Sequence, residues 1–276
     1  MTISGSDVDF ISQVVRARSA IVLDRSKEYL IESRLLTLAR ARGDASVADL
    51  IRQLRAAPNG PLRDEVVEAM TTNETSFFRD VHPFMALQNT ILPDLLVQRG
   101  KERALNLWCA ASSSGQEPYT IAMLIQELIG ADPSWRVRLL ATDIDKQMLK
   151  RTEEGIYNQF EVNRGLPAPL LVRYFARHGM NYQIDPRLRA MVETKFVNLA
   201  EPLPPMPQMD IIFLRNVLIY FDVDVKRKIL QQVKKILRPD GYLFLGGAET
   251  TMNVDDGWDR HTIGRATVYR PKGAGA

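Results

Sequence analysis

The sequence predicts an α/β protein. A small helical domain over residues 1–71 is followed by an open, mostly parallel sheet covered by helices over 99–276, and residues 72–98 form a linker and helix between them. Three observations carry this. From Asp7 to Thr71 apolar residues recur at helical spacing, as in Phe10, Ile11, Val14, Val15 and then Leu30, Ile31, Leu35, Leu36, Leu38. Beyond Gln98, short apolar runs suited to buried strands alternate with helical ones, the pattern of a parallel sheet with both faces covered. One stretch, about 166–197, breaks the alternation with turn residues and period-two patterning, and predicts an inserted antiparallel β-subdomain.

The elements follow in order. Ser6 is placed to cap the first helix, Gly43 to end the second, and Ser46 with Asp49 to open the third as a capping-box-like pair. Pro58-Asn59-Gly60-Pro61 makes a turn before the fourth. After the polar stretch TTNETSFFRD (71–80), a longer helix runs to Gln98. The strands are ALNLWCAA, WRVRLLATD, MDIIFLRNV and GYLFLGG; the helices between them are EPYTIAMLIQELIG, KQMLKRTEEG and VKRKILQQVKKIL. Helical PAPLLVRYFARHG leads into MNYQIDPRLRAMVETKFVNL, which reads as the small hairpin. The tail PKGAGA is expected to be disordered.

Composition narrows the function classes. A share of 45% hydrophobic and 25% charged residues, with no long apolar run and no leader-like N-terminus, predicts a cytoplasmic protein without membrane insertion. The single cysteine, Cys109, excludes an internal disulfide framework, and three scattered histidines do not predict a metal site. A net charge of +3 permits an acidic partner, and nothing points to nucleic acid.

In an open α/β sheet, ligands bind beyond the carboxyl ends of the strands. The first such loop here is AASSSGQEPYT, where Gly115 and three serines allow close approach of a ligand and Pro118 suits the first turn of the next helix. The plain alternative is an ordinary strand-to-helix turn. Neither the three-glycine dinucleotide pattern nor the Lys-Ser/Thr of a phosphate loop is present. Glu117 would repel a pyrophosphate but welcome an ammonium group, and Asp143 ends the second strand where a carboxylate accepts from ribose hydroxyls. A ligand with a ribose, an amino group and no phosphate is S-adenosylmethionine. Arg215, in RNVLIYFD, is an arginine among apolar residues and needs an anion, either within the protein or on a ligand.

In order, NETSFFR (73–79), W-x6-GQEPYT (108–120), ATDID (141–145), FVNL (196–199), RNVLIYF (215–221) and LRPDGYLFLG (237–246) resemble the chemotaxis receptor methyltransferases of the CheR type. The resemblance covers nearly the whole chain. It implies a Rossmann-like class I methyltransferase domain that moves a methyl group from S-adenosylmethionine to glutamates on chemoreceptors, leaving S-adenosylhomocysteine. It implies that Asn73, Thr75 and Arg79 face the methionine end and reacting methyl and that Glu117 lies near the amino group. Asp143 would hold the ribose, Asn198 and Leu199 meet the adenine, Arg215 and Asn216 line the site, and Tyr220 stands close to the methyl. Arg79 and Tyr220 are thus the catalytic candidates. The partner implied is the cytoplasmic helical region of methyl-accepting chemotaxis receptors, met by the helical domain, where residues 16–55 carry nine Lys/Arg against five Asp/Glu.

The chain departs from the family at Ala111 and Ser112, where glycine and cysteine are more usual. It departs again in HGMNYQIDPRL, whose short turn with one glycine points to independence from the receptor's C-terminal pentapeptide. A non-catalytic protein that binds S-adenosylmethionine or S-adenosylhomocysteine and signals through a partner is the alternative reading.

Overall fold

The computed structural model of the chain describes residues 3–130 and 132–273. The first helices are α1 (Gly5–Ser19), α2 (Glu28–Arg42), α3 (Val47–Ala56) and α4 (Pro61–Met70). Their apolar faces close on one core that includes Ile11, Val15, Ile31, Leu35, Leu50, Leu54 and Val66. Capping is as expected for α2, which stops at left-handed Gly43, and for α3, where the Ser46 hydroxyl accepts from Asp49 N–H. For α1 the expectation is corrected. Ser4 is the cap: its hydroxyl accepts from Asp7 N–H at 3.2 Å while the Asp7 carboxylate accepts from Ser4 N–H at 3.3 Å. Ser4 and Ser6 each have a carboxylate three positions on, Asp7 and Asp9, but the backbone is already helical from Gly5, so the cap position and its reciprocal pair fall to Ser4 and Asp7.

The expected long helix before the sheet is α5 (His82–Ala86) and α6 (Leu92–Gln98), continuous through one π turn at Leu87–Ile91. Pro93 has no N–H to donate and would crowd the preceding turn of a regular helix, and the wider π turn makes room for it.

The sheet follows with β1 (Ala104–Ala110), α7 (Gln116–Ile129), β2 (Arg136–Asp143) and α8 (Lys146–Glu154). The insertion comprises β3 (Ile156–Tyr157), α9 (Gln159–Asn163), α10 (Ala168–Tyr174), β4 (Phe175–His178) and β5 (Asn181–Ile184), then α11 (Pro186–Met191) leads to β6 (Val192–Phe196). The remainder is β7 (Met209–Leu214), α12 (Val223–Ile236), β8 (Leu237–Leu245), β9 (Trp258–Ile263) and β10 (Ala266–Pro271). Among the described residues the main sheet has the order β6-β2-β1-β7-β8-β10-β9. Its strands are parallel from β6 to β8, and antiparallel where β10 meets β8 and β9. Strand order reverses at β1, which opens a crevice at its carboxyl end. Alternate residues of β7 feed opposite cores: Ile211 and Phe213 pack toward α7, Ile212 and Leu214 toward α12. Burial on both faces explains the unbroken apolar run.

The antiparallel insertion is present, but its strands are displaced from the expected hairpin. β4 comes from the end of the stretch read as helix, pairs with β5 across a two-residue turn at Gly179-Met180, and β3 completes a second sheet of order β3-β5-β4. VETKF, read as part of the hairpin, instead extends the main sheet beside β2. Its period-two pattern is the same for an edge strand of either sheet, so register is decided by what it packs on. The β9–β10 hairpin was not anticipated, although Gly264-Arg265 between alternating runs is a two-residue turn signal. Of the tail expected to be disordered, Pro271 closes β10 and Lys272-Gly273 form a turn; 274–276 lie outside the described residues.

Candidate active site

The polar stretch before α5 is fixed by its aromatics. Phe77 is fully buried and meets Tyr157 and Phe175 edge-on at 5.1 and 5.7 Å; Phe78 meets Phe84 at 5.7 Å. These contacts hold Asn73 to Arg79 across the carboxyl ends of β1 and β7. Phe78, Asp80 and Val81 all take positive φ, as do Ala111, Ser113 and Asn216 nearby. Backbone strain of this kind persists where surrounding packing over-determines it, and it concentrates at functional sites.

The loop after β1 is held as firmly. Ser112 N–H donates to the Thr142 carbonyl at 2.9 Å, Ser113 N–H to the Asp143 carboxylate at 2.8 Å, and the Tyr157 hydroxyl to the Ser114 carbonyl at 2.8 Å. Gly115 caps α7 with φ 91°, and a Cβ there would lie 2.8 Å from the Thr152 hydroxyl. Ala111 and Ser112 therefore leave the loop ordered, with Ala111 in the left-handed region at φ 55°.

These segments enclose a cleft of about 880 Å³, counted out to its open mouth. All ten candidates line it: Asn73, Thr75, Arg79, Glu117, Asp143, Asn198, Leu199, Arg215, Asn216 and Tyr220. Their side chains are committed differently. Asn73 turns its amide to Asp145 at 2.7 Å, and Asn198 donates to the Arg18 carbonyl at 2.7 Å. Leu199 is a buried apolar wall, and no hydrogen bond engages the Thr75 hydroxyl among the described residues. Asp143 is buried, with one backbone N–H on each oxygen, from Ser113 at 2.8 Å and Asp145 at 2.9 Å. Burial raises its carboxyl to about 6 in spite of those two donors.

Arg215 has its anion inside the protein. Its side chain is 1% exposed and donates to Glu117 at 2.7 Å, Asp80 at 2.7 Å and the Arg79 carbonyl at 2.9 Å. Burial raises the Glu117 carboxyl above its ordinary value, and Arg215 opposes that rise. Arg79 differs: among the described residues its guanidinium bonds only the Glu74 carbonyl, at 2.6 Å. Of the two arginines, Arg79 is the one not already paired to a carboxylate.

Two lining residues escaped the sequence reading. Ser19 and Ile21 come from the end of α1 and the turn after it. Val22 N–H donates to the Tyr220 carbonyl at 3.0 Å and Arg16 pairs with Asp222 at 3.1 Å, so the helical domain closes one wall of the cleft.

Ser112 and Arg215 both line this cleft, and the Ser112 hydroxyl and Arg215 Nε are buried without a partner among the described residues. Orphaned polar atoms beside an apolar wall suit a ligand that brings its own hydrogen-bonding groups. S-adenosylmethionine fits: Asp143 has acceptor capacity for ribose hydroxyls, Leu199 and Val197 offer an apolar wall for a base, and Glu117 and Arg79 provide both signs of charge for an amino acid end.

Residues 6–71 match the family description "CheR methyltransferase, all-alpha domain" and residues 73–265 match "CheR methyltransferase, SAM binding domain". Curated relatives agree along the whole length. Chemotaxis protein methyltransferase 1 of Pseudomonas aeruginosa is 37% identical over 99% of this chain and 100% of its own, and Chemotaxis protein methyltransferase Cher2 of Pseudomonas putida is 38% identical over 91% and 93%. The chemotaxis protein methyltransferase of Salmonella typhimurium is 34% identical over 90% and 86%. With both matched regions lying end to end, and the strand-end cleft closed by the first against the second, the chain belongs to the CheR family of S-adenosylmethionine-dependent methyltransferases.

Proposed function

We propose that the protein methylates glutamate side chains on the cytoplasmic helical region of methyl-accepting chemotaxis receptors, for sensory adaptation, and that Asp143, Glu117, Asn73, Thr75, Arg79, Asn198, Leu199, Arg215 and Asn216 form its cofactor site. One observation carries the choice of acceptor: among the described residues, every carboxylate that lines the cleft is already bonded within the protein. Glu74 is paired with Arg164 at 2.5 Å, Glu117 with Arg215, and Asp143 is bonded by two backbone N–H groups; no histidine lines the cleft among the described residues. An acceptor that must lose a proton would need a free base. A glutamate with an ordinary pKa of about 4.3 arrives ionised in all but roughly one in 500 copies at pH 7.

When bound, S-adenosylmethionine supplies a methyl group on a positively charged sulfur. The chain's own task is to align the acceptor and exclude water, and positioning of this kind is worth roughly 7–11 kcal/mol. Arg79 and the Tyr220 hydroxyl, which has no hydrogen bond among the described residues, are the groups free to orient an incoming carboxylate or the cofactor's own. Neither gains by gripping the reacting oxygens tightly, because the carboxylate loses charge on the way to the ester. Arg79→Ala and Tyr220→Phe are expected to lower kcat about 10- to 100-fold, the value of a hydrogen bond to a charged group, with the calorimetric Kd for S-adenosylhomocysteine changed less than kcat in both and less than about threefold for Tyr220→Phe.

The helical domain faces the receptor in this reading, but less of its positive charge is available than the sequence suggests. Arg42 pairs with Asp44 and Glu65, Arg52 with Asp49, and Arg55 with Asp7; Arg34 is bonded to the Met70 carbonyl and the Thr72 hydroxyl. Shape at the cleft mouth then weighs more than long-range attraction. The two-residue Gly179-Met180 turn supports independence from a receptor C-terminal pentapeptide. No helix among the described residues is long and apolar enough to cross a membrane, consistent with the cytoplasmic location this reading requires.

Incubation with radiolabelled S-adenosylmethionine and bacterial chemoreceptor membranes tests the proposal: base-labile label on the receptor supports it. Cofactor binding without such label would favour a non-catalytic sensor, and base-stable label would point to another acceptor.

A further inference from the structure

We propose that Glu249 is a positioning residue for methyl transfer: its carboxylate clasps the turn that carries Asn216 and Tyr220 and so sets where the Tyr220 hydroxyl stands. The proposal rests on the methyl-transfer reading given above. The geometry is unusually complete. One carboxylate oxygen accepts from Asn216 N–H at 2.7 Å and Gly246 N–H at 2.6 Å; the other accepts from Val217 N–H at 2.9 Å and Ile219 N–H at 3.3 Å. A carboxylate has about four acceptor sites, and backbone donors fill them. Glu249 is therefore neither a base nor a ligand for substrate. It is an internal anion seated in a nest of N–H groups.

The turn makes that nest itself. Asn216 takes φ 58°, and a left-handed residue within a turn converges successive N–H groups on one point. Without Glu249 these donors would face the end of β8 with no acceptor. Gly246 is part of the same clasp: a Cβ there would lie 2.7 Å from the Glu249 carboxylate and 2.8 Å from Asn216 N. Tyr220 ends the short 3-10 turn Leu218–Tyr220 that follows, and its hydroxyl makes no hydrogen bond among the described residues, with the Arg34 guanidinium acting on it only through its charge. Its position is inherited from the backbone, held by Glu249 on one side and by Val22 N–H on its carbonyl on the other. Asn216 and Tyr220 line the cleft and Glu249 does not, which makes its role indirect.

The test uses the full chain with Glu249→Gln, which keeps size but replaces one acceptor oxygen by a donor, and Gly246→Ala, whose Cβ crowds the carboxylate and Asn216 together without changing charge. Amide hydrogen exchange at Val217 and Ile219 is expected to quicken about 10- to 100-fold in both, with β1 and β2 amides unchanged. The Kd for S-adenosylhomocysteine should move less than about fivefold while kcat for receptor methylation falls about 10- to 100-fold. In a Tyr220→Phe background, Glu249→Gln should cost no more than about a further threefold, because both changes act through one hydroxyl. Unchanged exchange overturns the clasp whatever the acceptor proves to be. Losses in kcat that multiply with those of Tyr220→Phe, or that follow Kd, overturn the positioning role. A wild-type chain that methylates no receptor overturns the functional reading instead, and the exchange result still judges the clasp.

Discussion

Arg215→Ala is expected to destabilise the protein by about 3–5 kcal/mol at neutral pH, the cost of leaving a buried charge without its partner. The stranded group is Glu117, 13% exposed in its side chain; the other partner, Asp80, is 51% exposed and water replaces its contact at little cost. Asp80→Ala should therefore stay within about 1 kcal/mol. The loss should depend on pH in a definite direction. With Arg215 gone, burial acts on Glu117 against the more distant Arg79 charge alone and lifts its folded-state pKa further above the unfolded value. An acid raised in the folded state takes up protons on folding, so stability falls as pH rises from the unfolded value through the folded one. Urea titrations at pH 5 and pH 7.5 should show the variant's deficit growing with pH. Converting Glu117 to Gln together with Arg215→Met removes the stranded charge and should recover a large part of the loss. A deficit below about 1 kcal/mol at pH 7.5 would mean the pair is not sealed from water.

The same arginine shows how far the sequence could be read. An arginine between FL and NVLIY announces a buried cation, but both an internal anion and a ligand satisfy that requirement. Choosing between them needs to know that Glu117 and Asp80, 98 and 135 residues away in the chain, converge on its guanidinium. Strand-end residues such as Asp143 were legible because the topology of a parallel sheet brings the ends of its strands to one crevice. The directions of Asn73 and Asn198 were not, since each amide could turn to a ligand or into the protein, and both turn into the protein. Ser19 ends α1 and Ile21 lies just beyond it, in a stretch whose sequence carries only the periodicity of a helical core; their place in the cleft depends on how two domains dock. VETKF was assigned to the wrong sheet because alternation reports a strand and not its neighbour. Glu249 had no local signature at all, sitting in a Gly-Gly-Ala-Glu turn and acting on amides 30 to 33 residues away.

Asp143→Ala should weaken S-adenosylhomocysteine binding about 100-fold or more, the value of two hydrogen bonds to a charged acceptor. The direction of its pH dependence follows from burial. The Asp143 carboxyl is raised to about 6, so below that pH the free protein holds it protonated. Ribose hydroxyls donate best to the ionised form, and binding selects it. Affinity should therefore be level above pH 6 and fall by up to about tenfold per pH unit below, with a proton released on binding near pH 5.5. Calorimetry in two buffers of different ionisation enthalpy would register that proton, and its absence would remove Asp143 from the ribose contact. Stability runs the other way: an acid raised from 3.8 to about 6 makes the ligand-free fold less stable as pH rises across that window, on the order of 3 kcal/mol in all. Asp143→Asn should flatten this slope while losing the affinity. If Asp143 holds the ribose as proposed, a carboxylate that burial opposes and backbone donors only partly satisfy finds its compensation in the ligand, and cofactor binding should raise the melting temperature more at pH 7.5 than at pH 5.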